Sequence, residues 1–453
     1  MSMTLTRSEL ARKLVHVACG GFAFLLRDLT TVQAAAMAVA AFVFNWQVLP
    51  RIGGRGLWRE SDRSHGYPRG ILLYPLAVLA LILYFHNAPW MAATLWGVIA
   101  FGDGMATLVG QALGGPRLPW NRGKGVAGFV AFVVFGTLAA AVLMAWTSRL
   151  PLEPSAWHVP RTLGVALAVT LVCALVESLP TTLDDNLTVP VAGALTLPLL
   201  AQADLSLAWS DPGLGGRALL GLGLNGAMAL AAFAAGSIDR PGALSAVAIG
   251  TVITASLGVG GFAVMVAFFI LGSLATKLGY RVKAVRGIAQ EKGGARGWRN
   301  AWANGGVPAF LAALAGLTAA PLHDLLVLAY AASVATAAAD TCSSEVGKAY
   351  GRRTFLITSL RPVPPGTEGA VSLEGTLGGL LGGMLVALVG AAFGLYGLTE
   401  AVLVGLAGLV GSLAESVLGT VAERKGWMGN DLLNATNTAI GALVVCLFAR
   451  AFA

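Results

Sequence analysis

Charge is what this chain has least of. Only 11% of its 453 residues are Asp, Glu, Lys or Arg, while 56% are hydrophobic and the mean hydropathy is +0.75. Soluble domains carry roughly 25% charged residues, so an ordinary water-soluble globule is excluded. Cysteine is scarce too. Of four, Cys19, Cys173 and Cys446 lie in apolar runs and Cys342 follows an aspartate inside another, a spacing that excludes a disulfide framework and a zinc cluster. Walker A, GxGxxG before a helix, CxxC and HExxH are all missing, so no soluble nucleotide or metalloprotease signature applies. The formal charge of +8 is spread over short loops with no single patch, which argues against a nucleic-acid partner.

What is present is a succession of apolar runs near the length of about 20 residues needed to span a bilayer. They fall at 14–26, 30–49, 70–86, 89–114, 126–146, 162–179, 187–205 and 217–236, then 243–257, 260–278, 305–319, 324–346, 376–395, 398–421 and 432–450. The expectation is an all-α polytopic membrane protein of about fifteen spans. Basic residues set its orientation. Arg7, Arg12 and Lys13, the arginines at 51, 55, 59, 63 and 69, Arg117 to Lys124, Lys283 to Arg299, Lys348 to Arg361, and Arg424 with Lys425 all fall on one side under alternation. The loops near His86, Trp157, Asp211, Thr318 and Thr399 carry few or none. The positive-inside rule then gives N-in and C-out. MSMTLTRSELARKLVH is polar and basic with no small-residue cleavage site after the first apolar run, so no removable signal peptide is expected.

A pattern also repeats. FGDGMATLVGQ at 101–111 aligns with AADTCSSEVGK at 338–348, and LVESL at 175–179 with LAESV at 413–417. Asp103 to Glu177 is 74 residues and Asp340 to Glu415 is 75, and Asn186 and Asn434 each precede a Gly-Ala-Leu by seven. Two seven-helix copies in parallel orientation need one additional span between them, and the run at 217–236 supplies it. The expected domains are therefore 1–210, a linking helix at 211–240, and 241–453.

Chemistry is expected where polar residues interrupt this pattern. A charge in a spanning segment costs about 2.5–3.5 kcal/mol on insertion scales, so Asp103 is a functional candidate by default. It precedes a loop with Gly125 and the cations Arg117, Arg122 and Lys124, a composition suited to phosphate. Glu177, Asp184, Asp185 and Asn186 follow as oxygen ligands suited to magnesium, or as an ordinary interfacial turn. Lys13 and His16 share a helix face and can anchor topology, bind phosphate or accept a proton. In the second half, Lys277, Arg281, Lys283, Arg286, Lys292, Arg296 and Arg299, with Asn304, surround a triphosphate or meet phospholipid at the membrane surface. Asp340, Glu345 and Lys348, the hydroxyls of Thr367, Ser372 and Thr376, and Glu415, Asp431, Asn434 and Asn437 complete that set.

These residues resemble two families. RKLVH at 12–16, GDGMATLVG at 102–110, GKGVAG at 123–128 and ESLPTTLDDN at 177–186 resemble the phytol kinase and dolichol kinase family, whose Lys-Ser appears here as Lys124-Gly125. From about residue 240 onward, the basic loop, AADTCSSEVG, VPPGTEGAVSLEGTLGG, SLAESVLG and NDLLNATNT resemble the DUF92 family that includes plant phytyl-phosphate kinase and human transmembrane protein 19. The resemblance implies consecutive phosphorylations: isoprenoid alcohol to isoprenyl phosphate to diphosphate, with cytidine triphosphate (CTP) as donor and Mg²⁺ as cofactor. It implies metal held by Asp103 with Glu177 and Asp185, and by Asp340 with Glu415 and Asp431, with His16 or an acid as base and Lys124 stabilising transferred charge. Membrane lipids surround the protein, expected in a bacterial inner membrane with sites facing the cytoplasm. A lipid-phosphate cytidylyltransferase and a transporter or flippase of an anionic lipid are the alternatives, the latter disfavoured by polar motifs that fall on one side.

Overall fold

The structure, a computed structural model, describes residues 7–52, 54, 58, 62, 67–148, 158–289, 297–423 and 425–452. Arg55, Arg59, Arg63, Trp157, Lys292, Arg296 and Arg424 lie outside the described residues. The chain is helical nearly throughout and divides into two compact units, 1–202 and 203–453. Ten of the described helices are long and apolar enough to cross a membrane, and Arg69–Tyr84 is a shorter apolar helix. This is an all-α polytopic membrane protein. Other apolar runs form shorter, more polar or fused elements. The first becomes Arg7–Cys19 continued by a 3-10 segment, Gly20–Arg27, and the runs at 243–257 and 260–278 join as Arg240–Lys277. That long helix is broken at Gly258, whose φ of 64° a residue with a Cβ rarely adopts.

The first unit contains α1 (Arg7–Cys19), α2 (Thr31–Val43), α3 (Arg69–Tyr84), α4 (Pro89–Leu113), α5 (Val126–Thr147), α6 (His158–Ser178) and α7 (Asp185–Leu200). Local chemistry sets the ends. Thr30 and Gln33 form a capping box before α2, and Asp184 caps α7 through the Asn186 amide. Midway along α4 the helix widens into a π turn, Val98–Asp103. Between α4 and α5 the loop folds back on itself: Leu118 N donates to Lys124 O at 2.9 Å and Val126 N to Pro116 O at 2.9 Å. Trp120 Nε1 donates to Ser178 Oγ at 2.9 Å and Asn121 Nδ2 to Ser178 O at 3.0 Å, so the loop is tied to the end of α6.

The second unit contains α8 (Leu214–Ala234), α9 (Arg240–Lys277), α10 (Trp298–Ala315), α11 (Leu322–Tyr350), α12 (Leu373–Ala392), α13 (Leu398–Leu418) and α14 (Asn430–Phe452). Helix α8, the expected linker, packs against α9 inside this unit. The centre is α11, in whose most apolar window 83% of the residues are buried and whose commonest residue is Ala. Its partner α12 approaches through glycines on one face: a Cβ on Gly375 would meet the Ser343 carbonyl at 2.7 Å, and one on Gly379 the Ala339 carbonyl at 2.9 Å. Inside a bilayer no hydrophobic force draws helices together, so close backbone approach through small residues supplies the packing. Between these helices, Phe355–Leu356 and Ala370–Val371 form a two-stranded antiparallel sheet that bounds a polar loop. Gly379→Val should therefore cost about 1–3 kcal/mol by overpacking against backbone, read as a lower melting temperature in detergent.

Candidate functional site

In the first unit the site grows from Asp103, which is 7% exposed at the end of the π turn. Lys13 Nζ donates to Asp103 Oδ2 at 2.6 Å, and His16 Nε2 stands 3.5 Å from the same oxygen. A π turn shifts the backbone ladder and is frequent at functional sites. Here His16 Nε2 lies 3.2 Å from the Ile99 carbonyl oxygen within it, and the imidazole packs against Tyr74 with ring centroids 4.3 Å apart. Trp96 Nε1 in turn donates to the Tyr74 hydroxyl at 2.8 Å. A cavity of about 120 Å³ opens beside these groups, lined by Arg12, Lys13, His16, Tyr74, Asp103 and Asp185 among others.

Two more carboxylates converge on Asp103. One oxygen each from Asp103, Glu177 and Asp185 lies within 4.8 Å of the others. Lys124, at the end of the folded-back loop, forms an ion pair with Glu177 and also reaches its backbone carbonyl. Asn186 Nδ2 donates to Asp184 Oδ1 at 2.9 Å and to Asp185 Oδ1 at 3.3 Å, holding the turn in place. Three carboxylates in a low-dielectric bundle repel each other, and Lys13 and Lys124 offset part of that charge. The donor set is all oxygen and is flanked by cations that suit phosphate, which fits Mg²⁺ better than a softer metal.

The second unit offers a different arrangement. A polar chamber of about 380 Å³ is lined by Lys348, Thr367, Glu368, Thr376, Glu415 and Ser416 among others. Ser372 Oγ accepts from Gly375 N at 3.1 Å and opens α12 against this chamber. Five expected ligands are thereby gathered: Lys348, Thr367, Ser372, Thr376 and Glu415. Glu345 is used elsewhere, in an ion pair with Lys283; the two are 2% and 1% exposed. Lys283 also donates to Thr276 O at 2.8 Å, so this cation fastens helices together instead of facing the chamber. Asp340 is half-buried on α11, Asp431 is exposed, and Asn434 is buried. Among the described residues, only Asp103, Glu177 and Asp185 gather as a triplet of possible metal ligands; Asp340, Glu415 and Asp431 do not.

The remaining candidates scatter. Arg122 and Lys277 are exposed, and Gly125 precedes α5 in an extended conformation. Arg299 lies over the Trp298 ring at 5.5 Å. Asn304 lines a separate, mainly apolar cavity of about 120 Å³ with Asn225 and Asn300. Sequence reasoning missed Tyr74, Asn45 and Asp62, which line the first-unit cavity. Tyr74 sits in a plain apolar run, where only packing against His16 marks it out.

Fold and site together define a polytopic membrane protein with a carboxylate cluster flanked by cations inside a helix bundle. Residues 223–442 match the family described as "Integral membrane protein DUF92". An uncharacterized membrane protein of Synechocystis is 41% identical over 219 residues, 48% of this chain and 85% of its own length. Protein VTE6, chloroplastic, of Arabidopsis thaliana is 38% identical over 216 residues, 46% of this chain and 65% of its own. A probable phytol kinase of Glycine max, chloroplastic, is 34% identical over 200 residues, 41% of this chain and 61% of its own. No solved structure matches the chain significantly. The chain belongs to the DUF92 family of integral membrane proteins.

Removing one partner of a buried ion pair costs about 3–5 kcal/mol, because the other charge is left uncompensated. Lys13→Met should lower stability by that order without added divalent cations, and Lys13→Met with Asp103→Asn should recover much of it. Thermal unfolding of the single and double variants checks this.

Proposed function

We propose that this chain is a bifunctional isoprenoid kinase: its first unit phosphorylates a prenyl alcohol of the phytol or geranylgeraniol type, and its second extends the monophosphate to the diphosphate. The observation that carries this is the convergence of Asp103, Glu177 and Asp185 beside Lys13, Lys124 and His16. Phosphoryl transfer needs little covalent help from a protein; it needs positioned charge. Relatives that carry the name phytol kinase support the reading.

In the first unit Asp103, Glu177 and Asp185 would hold Mg²⁺, which would neutralise the triphosphate of CTP. Lys124 and the folded-back loop bind phosphate oxygens and stabilise charge as it shifts. With Nε2–H donating to Ile99 O, His16 keeps its Nδ1 lone pair for the proton of the substrate hydroxyl. In the second unit Lys348, Thr367 and Thr376 bind phosphate oxygens, and the acceptor is already an anion that needs no strong base. The hydrocarbon tail lies between helices or in lipid.

The two units are read as parallel copies within a fifteen-span, N-in and C-out chain, with both sites facing the cytoplasm of a bacterial inner membrane. Equivalent contacts at matched positions support the duplication. A Cβ on Gly128 would meet the Ala106 carbonyl at 2.9 Å, and one on Gly375 the Ser343 carbonyl at 2.7 Å. Ala106 and Ser343 each stand three residues after their aspartate. A Cβ on Gly193 would meet Leu95, and one on Gly441 would meet Thr336 first and then the Ala332 carbonyl at 3.2 Å; Leu95 and Ala332 each stand eight residues before their aspartate.

The decisive assay supplies the purified protein with phytol or geranylgeraniol, Mg²⁺ and labelled CTP and resolves the lipid products. Monophosphate and diphosphate are expected; released pyrophosphate would indicate a cytidylyltransferase, and no labelled lipid with any nucleotide would return the transporter. Asp103→Asn should lower alcohol phosphorylation by about 100-fold or more and spare the second step, and Asp340→Asn should do the reverse.

A further inference from the structure

We infer that the second unit also holds a divalent cation, and that the side-chain oxygen of Asn437 serves there in place of a third carboxylate. This rests on the duplication proposed above and not on kinase activity. The starting point is a crossing of three helices. A Cβ on Gly411 of α13 would meet Thr336 Oγ1 of α11 at 2.8 Å and the Asn437 carbonyl of α14 at 3.1 Å. Helices α11 and α13 run the same way there, since Gly408 lies on Ala335 and Ser412 on Ser343. Helix α14 runs against them, since Gly441 lies on Ala332.

One turn beyond the crossing, α11 presents Asp340, α13 presents Glu415, and α14 presents Leu433 and Asn434. The first unit has the same crossing, where Cys173 Sγ lies 3.8 Å from the Val189 carbonyl. One turn beyond it stand Asp103, Glu177 and Asp185, the triplet whose oxygens converge. Leu433 therefore occupies the place of Asp185, and it is 0% exposed. The carboxylate lost there is matched by an amide gained: Asn437 occupies the place of Val189.

Asn437 is itself 0% exposed, and neither its Nδ2 nor its Oδ1 has a hydrogen-bond partner among the described residues. Buried polar groups are nearly always satisfied, and one amide with both ends unpaired calls for a ligand. An amide oxygen together with the carboxylates one turn away is an ordinary ligand set for a hard divalent cation. The exchange also changes the charge. With two carboxylates where the first unit has three, this site repels an anionic acceptor less, which suits a phosphate monoester better than an alcohol.

The test uses Mn²⁺ as the probe on the purified full-length chain in detergent, with the first site silenced by Asp103→Asn and free Mn²⁺ followed by electron paramagnetic resonance. One ion should bind. Asn437→Val, which installs the residue of the first unit, should weaken binding at least tenfold, and Asn437→Asp should tighten it about tenfold. No bound ion in the Asp103→Asn parent, or unchanged affinity in Asn437→Val, would overturn the inference. If Asn437→Val fails to fold, Asn437→Asp decides: unchanged or weaker binding overturns the inference, tighter binding sustains it. Mn²⁺ bound as described by a protein that transfers no phosphate would sink the kinase reading alone.

Discussion

A carboxylate held inside a helix bundle has to be compensated, and much of the first unit follows from compensating Asp103. Its charge is met by Lys13 from α1 at 2.6 Å, which fixes α1 against α4. The π turn that carries Asp103 presents the Ile99 carbonyl to His16, so the same distortion orients a second ionisable group. Glu177 and Asp185 then add negative charge that Lys13 and Lys124 only partly offset. Such an arrangement is costly as structure alone.

Packing makes that arrangement possible. Three helices can bring short side chains together only if their backbones approach closely, and small residues at the crossings permit this in both units. Gly110 and Gly128 do so for α4 and α5, and Gly347, Gly375 and Gly379 for α11 and α12. The two units differ in what they hang on this frame. The first gathers three acids; the second buries Leu433 and Asn437, the amide of Asn437 having no hydrogen-bond partner among the described residues, and opens a larger polar chamber from the loop before α12.

The second unit also separates residues that look alike in a list. Glu345 and Glu415 are both acids in apolar helices, yet Glu345 is closed off by Lys283 while Glu415 lines the chamber. Lys283 and Lys348 belong to the same basic population, yet the first fastens helix ends and the second faces the cavity. Excess positive charge near a membrane surface therefore says little about which cation meets a ligand.

Hydropathy determined by itself that this is a helical membrane protein, because the cost of exposing polar backbone to lipid leaves few other options. The intramembrane acids Asp103, Glu177 and Asp340 were equally legible, since a charge in an apolar run stands out without any structure. Other features depended on distance between helices. The pairing of Lys13 with Asp103, the convergence of Asp103 on Glu177 and Asp185, the packing of Tyr74 on His16 and the diversion of Glu345 to Lys283 join residues far apart in the chain. Helical periodicity tells which face a side chain occupies but not which neighbour that face meets, and only tertiary packing decides that.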